Sequence, residues 1–203
     1  IVRMTMLIDR TLDASRLSSG QIKLKPSFFK AQSLVEDVCQ RQADVSPNHS
    51  IHLDLENYPE ELFGDGRLLD NVFTNLLSNA VKYSPDRKDV YVRGWIEDES
   101  AVISVRDSGV GISKTDLPKI FQRFLRAKTA DGISGTGIGL NLVKNLVEMH
   151  WGKVSIDSEE GEWTEITVSL PLESPLETEA DTATREANHN GTWVKEEASQ
   201  ANT

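Results

Sequence analysis

Three asparagines and a lysine recur at helical spacing in one segment of the chain. Asn71, Asn75, Asn79 and Lys82 are separated by four, four and three residues, which places them on one face of a helix. An apolar face of the same helix is formed by Leu69, Val72, Phe73, Leu76, Leu77 and Ala80. Asn is a poor helix former because its amide competes for backbone hydrogen bonds. We therefore interpret the stripe as a binding face; the alternative is a solvated helix face.

Two glycine clusters lie further along the chain. Asp107-Ser-Gly109-Val-Gly111-Ile112 follows an alternating strand pattern over residues 101–106, and Gly135-Thr136-Gly137-Ile-Gly139-Leu140 opens an amphipathic helix. Glycine lets the backbone approach a ligand closely, and N–H groups at a helix start bind phosphate. The second cluster lacks both the Lys-Ser/Thr pair of a P-loop and the Rossmann spacing, which excludes those two nucleotide motifs.

Together with Ile120-Phe121-Gln-Arg123-Phe124-Leu-Arg126, these segments resemble the N, G1, F and G2 boxes of sensor histidine kinases. Those boxes form an ATP-binding domain in a superfamily shared with type II topoisomerases and Hsp90-type chaperones. The resemblance covers roughly residues 1–172. It implies an α+β fold, a two-layer α/β sandwich of the GHKL type. In that fold the helices lie on one face of a mixed, mostly antiparallel sheet.

The resemblance assigns one end of the site to the adenine base. Asp107 is expected to accept a hydrogen bond from the adenine amino group, since a carboxylate is an acceptor only. Thr164 matches the strand threonine that completes base recognition, and Tyr83 matches the aromatic beside the base. The alternatives are a plain Asp-Ser-Gly turn at residue 107 and a half-buried, sheet-facing Tyr83. The remaining nucleotide-binding residues near this end are Gly109, Gly111 and Ile112.

The other end is assigned to Mg²⁺ and the triphosphate. Asn79 is the expected direct metal ligand with Asn75 close by, because Mg²⁺ prefers oxygen ligands and a carboxamide adds no negative charge. Lys82 and Arg123 are expected to contact phosphate oxygens, whereas loop cations such as Arg126 and Lys128 are usually only solvated. The backbone contributors are Gly135, Thr136, Gly137, Gly139 and Leu140. We expect Phe121 and Phe124 to anchor the surrounding lid through apolar contacts.

Residue 75 separates branches of the superfamily. The chaperone and topoisomerase ATPases carry a Glu where this chain has Asn75, and that Glu activates water. An Asn cannot accept a proton at neutral pH, so the resemblance implies phosphoryl transfer to a protein histidine rather than rapid hydrolysis. None of the four histidines, at positions 49, 52, 150 and 189, lies in a His-Glu phosphoacceptor pattern. We therefore expect no catalytic residue of that kind and no self-phosphorylation.

Hydrophobic periodicity and turn residues predict the elements that position these groups. Helices are expected over residues 1–19, 31–43, 71–82 and 140–150, and strands over 21–25, 51–55, 88–97, 101–106, 154–157 and 164–170. Residues 112–134 carry little periodic signal, as is typical of a lid or a disordered loop. His150 matches a histidine that closes the last helix in the family, and Trp151 stands where the family has a small residue.

Composition sets the remaining expectations. A net charge of −10 argues against nucleic-acid binding, and no apolar run has the length of a membrane span. The single Cys39 fits a reducing compartment and is expected to be buried. We expect three parts: the end of a dimerisation helix (1–20), the catalytic domain (21–172), and an acidic, disordered tail (173–203) in which Trp193 is an isolated aromatic.

The implied protein is cytoplasmic or a cytoplasmic part of a membrane-anchored parent. Its expected partners are the histidine-bearing dimerisation helices of a homodimeric kinase and a response regulator receiver domain. Two alternatives stay open at this point. One is a serine kinase of the same superfamily that regulates a sigma factor, and the other is a non-catalytic nucleotide-binding or docking module.

Overall fold

The computed structural model describes residues 23–130 and 132–173. Three α-helices are present in that part of the chain: α1 (Ala31–Val45), α2 (Gly66–Tyr83) and α3 (Gly139–Met149). The strands are β1 (Ser27–Lys30), β2 (Ser50–Asp54), β3 (Glu61–Gly64), β4 (Asp89–Glu97), β5 (Ser100–Asp107), β6 (Lys153–Glu159) and β7 (Trp163–Pro171).

Five strands form the main sheet in the order β2-β4-β5-β7-β6. The β2–β4 pair is parallel and the other three pairs are antiparallel, so the sheet is mixed and mostly antiparallel. Asp98 and Glu99 join β4 to β5 with φ values of 45° and 61°. Such left-handed pairs match the twist of a two-residue hairpin. β1 and β3 form a separate antiparallel pair.

The helices cover one face of the main sheet. Alternate residues of β4, β5 and β7 turn inward and form one core cluster with the apolar faces of α1, α2 and α3. On α2, Leu69, Val72, Leu76 and Leu77 are all buried, which leaves its asparagine face to form a different surface. The predicted two-layer α+β fold is thereby confirmed.

The strand predicted over residues 21–25 is wrong in the part that is described. Residues 23–26 have no regular structure, and the strand begins after Pro26, which has no N–H to give to a ladder. It pairs with β3, a strand that the periodicity missed, and Phe28 meets Phe63 edge-to-face at 5.1 Å. Cys39 is buried as expected. The expectations for residues 1–20, for the tail beyond residue 173, and for Trp193 and His189 lie outside the described residues.

Residues 112–138, which we call the lid segment, connect β5 to α3. Its described residues contain two short 3-10 helices, Leu117–Lys119 and Lys128–Ala130, and otherwise irregular backbone. Within residues 23–130 and 132–173, no helix combines the length and apolar character needed to cross a bilayer.

Candidate nucleotide site

A cavity of about 450 Å³ lies between α2, the ends of β5 and β7, the lid segment and the start of α3. Thirteen of the fifteen predicted site residues line it: Asn75, Asn79, Lys82, Tyr83, Asp107, Gly111, Ile112, Gly135, Thr136, Gly137, Gly139, Leu140 and Thr164. Apolar side chains complete the wall, including Val105, Ile138, Leu142 and Ile166. The cavity therefore offers both a flat apolar region and a polar end, as a nucleotide requires.

The asparagine stripe faces the start of α3. Asn75 is only 4% exposed, and its Nδ2 donates to the backbone O of Asn71 at 2.7 Å. A carbonyl can only accept, so the amide nitrogen is held there and Oδ1 is directed elsewhere. A Cβ built at Gly139 would lie 3.2 Å from Oδ1 of Asn75 and 3.7 Å from Nδ2 of Asn79. The two carboxamides thus face the first turn of α3, while Asn71 does not line the cavity.

Lys82 brings a positive charge to the same end. Its Nζ donates to Oη of Tyr83 at 3.1 Å and lies 4.5 Å from the centre of that ring. A Cβ at Gly135 would lie 2.5 Å from this ammonium. Any side chain at residue 135 would therefore displace the lysine. We call Asn75, Asn79, Lys82, Gly135 and Gly139 the phosphate end of the cavity, because the sequence predicts the triphosphate there.

Asp107 belongs to a second group of lining residues, which we call the base end because the sequence predicts the adenine base there. It is the last residue of β5, lies directly across the ladder from Thr164, and is 5% exposed. Its Oδ1 accepts from the backbone N of Gly109 at 2.9 Å. Burial raises the pKa of the Asp107 carboxyl from 3.8 to about 7, although hydrogen bonds from the Gly109 and Thr164 backbones and the Arg106 charge act in the opposite direction.

Ser158 ties the base end together, and the sequence reasoning missed it. Its buried Oγ accepts from the backbone N of Ile112 at 2.9 Å and donates to the O of Trp163 at 2.6 Å. It also lies 3.0 Å from Oγ1 of Thr164. One hydroxyl thus joins the first glycine cluster to the β6–β7 hairpin. Only the pairing of β6 with β7 identifies it, because a serine in an alternating strand carries no motif.

The glycines of the first cluster are required by close backbone contacts. A Cβ at Gly109 would lie 2.1 Å from the O of Tyr83, at the end of α2. Gly111 has φ +61°, and a Cβ there would lie 2.0 Å from the O of Glu159. Gly109 therefore packs against α2 and does not line the cavity, whereas Gly111 does.

Arg123 is the second predicted residue that does not line the cavity. Its guanidinium carbon lies 5.0 Å from the ring centre of Phe124. Arg126 does line the cavity, and its Nη2 donates to the O of Ala130 at 2.8 Å and also to the O of Ile133. The guanidinium group of Arg126, which we expected to be solvated, therefore forms hydrogen bonds with carbonyls of the lid segment.

The expectation that Phe124 anchors the lid segment is wrong, because its side chain is 65% exposed and its φ is +66°. Phe121 is half-buried. The buried apolar residues of the segment are instead Ile120, Ala127 and Ala130. A segment without periodicity gives no indication of which of its apolar residues turn inward.

The donor set at the phosphate end suits a magnesium–nucleotide complex. Among the residues that the structure describes, no group of three or more His, Cys, Asp or Glu side chains is placed to hold a metal. The oxygens available are the neutral carboxamides of Asn75 and Asn79. Mg²⁺ commonly takes one or two protein oxygens, with phosphates and water filling its octahedron. Such a set fits an ion that arrives with its triphosphate.

Comparison with known proteins identifies the family. Residues 64–174 match the model described as histidine kinase-, DNA gyrase B-, and HSP90-like ATPase, which is more than half of the 203 residues. The chain belongs to this family. The matched range contains the whole candidate site, and the predicted ATP-binding domain of the sensor histidine kinase type is confirmed.

Several named relatives are histidine kinases. The circadian input-output histidine kinase CikA of Synechocystis is 33% identical over 177 residues, covering 82% of this chain and 23% of that protein. The sensor histidine kinase YclK of Bacillus subtilis is 31% identical over 176 residues, covering 84% of this chain and 37% of that protein. The chain spans about a quarter of the length of the circadian kinases it matches.

Solved structures share the fold. The mycobacterial sensor histidine kinase MprB superposes with a TM-score of 0.65 at 26% identity, covering 74% of this chain and 99% of that one. Full-length ShkA in complex with AMPPNP gives a TM-score of 0.72 at 23% identity, covering 85% of this chain and 36% of that one.

Proposed function

We propose that this chain binds Mg·ATP and transfers the γ-phosphoryl group to a histidine on a dimerisation helix of its parent kinase. The carrying observation is that one cavity is lined by the carboxamides of Asn75 and Asn79 and by the buried carboxyl group of Asp107. The histidine-kinase relatives support the reaction class.

The adenine base binds at Asp107 and Thr164 in this proposal. The carboxylate accepts from the adenine amino group, while Ile112 and the apolar wall contact the flat faces of the ring. Tyr83 lies on the same side of the cavity as Lys82 and extends this wall. Gly109 supports the base end indirectly, because it lets the loop pass close to the end of α2.

The triphosphate lies along the second glycine cluster. Gly135, Thr136, Gly137 and Gly139 line the cavity ahead of Leu140 in the first turn of α3, where N–H groups have no helical partner. Lys82 supplies a cation beside Gly135. Arg123 reaches phosphate in this proposal only if its side chain leaves Phe124.

Oδ1 of Asn79, with Asn75 beside it, would hold Mg²⁺, and the ion would supply charge neutralisation to the phosphates. Asn75 replaces the basic carboxylate that an ATPase needs, and its amide nitrogen is already engaged with Asn71. The chain therefore orients the γ-phosphoryl group and lacks a group at this position that takes a proton from water. Rapid hydrolysis is not expected.

The acceptor and the regulator are supplied by other segments. The structure describes His49, His52 and His150; Nε2 of His49 donates to the backbone O of Ser84, and His150 is buried. We propose that a histidine on the dimerisation helices of a homodimeric parent accepts the phosphoryl group first. A response regulator receiver domain then accepts it from that histidine. The use of ATP and the single reduced Cys39 favour a cytoplasmic site of action.

Transfer to a separately supplied histidine-bearing hairpin of the parent tests this proposal. We expect γ-³²P label on the hairpin, with the acid lability of phosphohistidine, and none on this chain alone. Asn79→Ala is expected to abolish the transfer, whereas Asn71→Ala changes the same residue type on the same helix outside the cavity and is expected to preserve it. Label on this chain alone, or steady hydrolysis at chaperone-like rates, would contradict the proposal.

A further inference from the structure

A second pair of asparagines at helical spacing lies on α3, outside the cavity. Asn141 and Asn145 are four residues apart, and neither lines the cavity wall. Asn weakens a helix interior because its amide competes for backbone groups. Both side-chain amides are half-buried and form hydrogen bonds with specific partners. These bonds indicate a role for two asparagines that by themselves weaken the helix.

The two amides form a directed chain of hydrogen bonds. Nδ2 of Asn145 donates to the backbone O of Asn141 at 2.7 Å and to its Oδ1 at 3.3 Å. Nδ2 of Asn141 then donates to the backbone O of Phe121 at 3.0 Å. Because a carbonyl oxygen only accepts, Asn141 must present its nitrogen to Phe121, and Asn145 stabilises that orientation.

Phe121 belongs to an irregular stretch of the lid segment. The neighbouring Ile120 and Leu125 line the cavity, and the stretch between them has no helix or strand. A second attachment is the 2.9 Å bond from the N of Phe124 to the O of Gly137. Backbone outside helices and strands opens more easily than backbone within them, so the bond from Asn141 and the bond to Gly137 both help to hold this cavity wall in place.

Helix α3 joins this wall to the phosphate end. Its first residue, Gly139, faces Asn75 and Asn79, and Asn141 follows two positions later. The same helical turn thus meets the expected triphosphate site and holds the lid segment. If residues 120–125 moved relative to α3, the opening of the cavity would change. A substitution at Asn141 could therefore affect access to the cavity although Asn141 does not line it.

We propose that Asn141, oriented by Asn145, is a positioning residue for the nucleotide. It fixes residues 120–125 against α3 as a wall of the cavity and thereby slows the escape of bound ATP. This inference rests on the proposed function of the cavity, but its structural half can be measured without a nucleotide.

The first measurement is hydrogen exchange of the nucleotide-free protein. The backbone amides of Gln122, Phe124 and Leu125 all donate to carbonyls of the lid segment, at 2.8, 2.9 and 3.3 Å. We expect Asn141→Ala to speed their exchange about fivefold, which is the loss of one ordinary hydrogen bond. Lys144→Ala on the exposed side of the same helix is the matched control and is expected to leave these amides unchanged.

An isosteric variant separates positioning from packing. Asn141→Asp keeps the shape but turns an acceptor toward the O of Phe121, so exchange is expected to rise at least as much as in Asn141→Ala. If Asn141 only fills space, Asn141→Asp would resemble the wild type. Asn145→Ala retains the Asn141 amide that donates to Phe121 but removes the bond that orients this amide. We expect an increase in the exchange rate that is smaller than that of Asn141→Ala. This variant also tests the inference if Asn141→Ala does not fold.

The second measurement is the dissociation rate of ATP by stopped-flow. We expect about a fivefold faster rate for Asn141→Ala with an unchanged association rate. Wild-type exchange and wild-type ATP release in Asn141→Ala would overturn the inference. Failure of the wild type to bind ATP would instead overturn the proposed function, and the exchange data would still decide whether Asn141 holds the wall.

Discussion

The buried carboxyl of Asp107 makes stability and nucleotide binding depend on pH in a specific way. Its pKa is about 7 in the folded protein, against 3.8 for the unfolded chain, and burial is the main cause. Because the folded state holds the proton more tightly, the contribution of this carboxyl to stability is largest below about pH 4. It falls as pH rises toward 7 and is level above that value.

The size of the effect follows from the two pKa values. A rise from 3.8 to about 7, at about 1.4 kcal/mol per pH unit, corresponds to about 4 kcal/mol of lost stability at pH 8. About half of that loss falls between pH 5.5 and 8, where the protein can be assayed. Asp107→Asn removes the titrating proton and is expected to remove this slope.

Urea unfolding of the nucleotide-free protein at pH 5.5 and pH 8 provides the assay. His150 titrates in the opposite sense, since burial lowers the pKa of its imidazole and stability falls below about pH 6.5. Both proteins contain His150, so the difference between wild type and Asp107→Asn isolates the carboxyl. Parallel curves for the two proteins would refute the reasoning.

Nucleotide binding depends on the same proton. An ionised carboxylate accepts from the adenine amino group more strongly than the neutral acid, so ATP binding below pH 7 is expected to be coupled to release of the Asp107 proton. We expect the wild-type Kd to weaken about tenfold from pH 8 to pH 6. In Asp107→Asn, binding is expected to be weak at both pH values. A wild-type Kd that is constant over this range would show that the carboxyl does not contact the base.

Three further changes test other parts of the account. Trp151 has φ +56° at the end of α3, so Trp151→Gly is expected to raise the free energy of unfolding by about 1 kcal/mol in urea. Tyr83→Phe removes the acceptor for Lys82, and we expect ATP to bind about fivefold more weakly in calorimetry while adenosine is unaffected. Burial raises the pKa of the Cys39 thiol to about 12, so its reaction with iodoacetamide at pH 8 is expected only after unfolding.

Each of these three predictions has a result that would contradict it. A less stable Trp151→Gly would mean that indole packing outweighs the left-handed backbone. Equal losses of ATP and adenosine in Tyr83→Phe would place the hydroxyl at the base rather than at the phosphates. Fast labelling of folded protein at Cys39 would mean that the core opens around α1.

Sequence patterns correctly predicted those helices and strands whose hydrophobic periodicity is clear within the segment itself. The alternation in β4 and β5, the helical stripe of α2, and Asp107 at a strand end all match the structure within a few residues. Each depends on neighbours in sequence, where spacing decides which side chains share a face. The same spacing argument places Asn141 and Asn145 on one face of α3, but spacing does not show that Asn141 contacts Phe121.

Features that depend on distant parts of the chain were not predictable. β1 and β3 become strands by pairing with each other, although neither has a clear alternation. Ser158 acts through residues that come together only when β6 and β7 pair. In the lid segment, the exposure of Phe124 follows from a left-handed backbone and a bond to Gly137. Periodicity cannot report either of these.

The central claim is that the carboxamides of α2 hold a magnesium-bound triphosphate, and isothermal calorimetry with ATP tests it most directly. For the wild type we expect micromolar to millimolar binding in magnesium buffer and much weaker binding in EDTA. Asn79→Ala is expected to lose the magnesium dependence, whereas Asn71→Ala retains it. Equal ATP affinity for the folded wild type with and without magnesium would contradict the account.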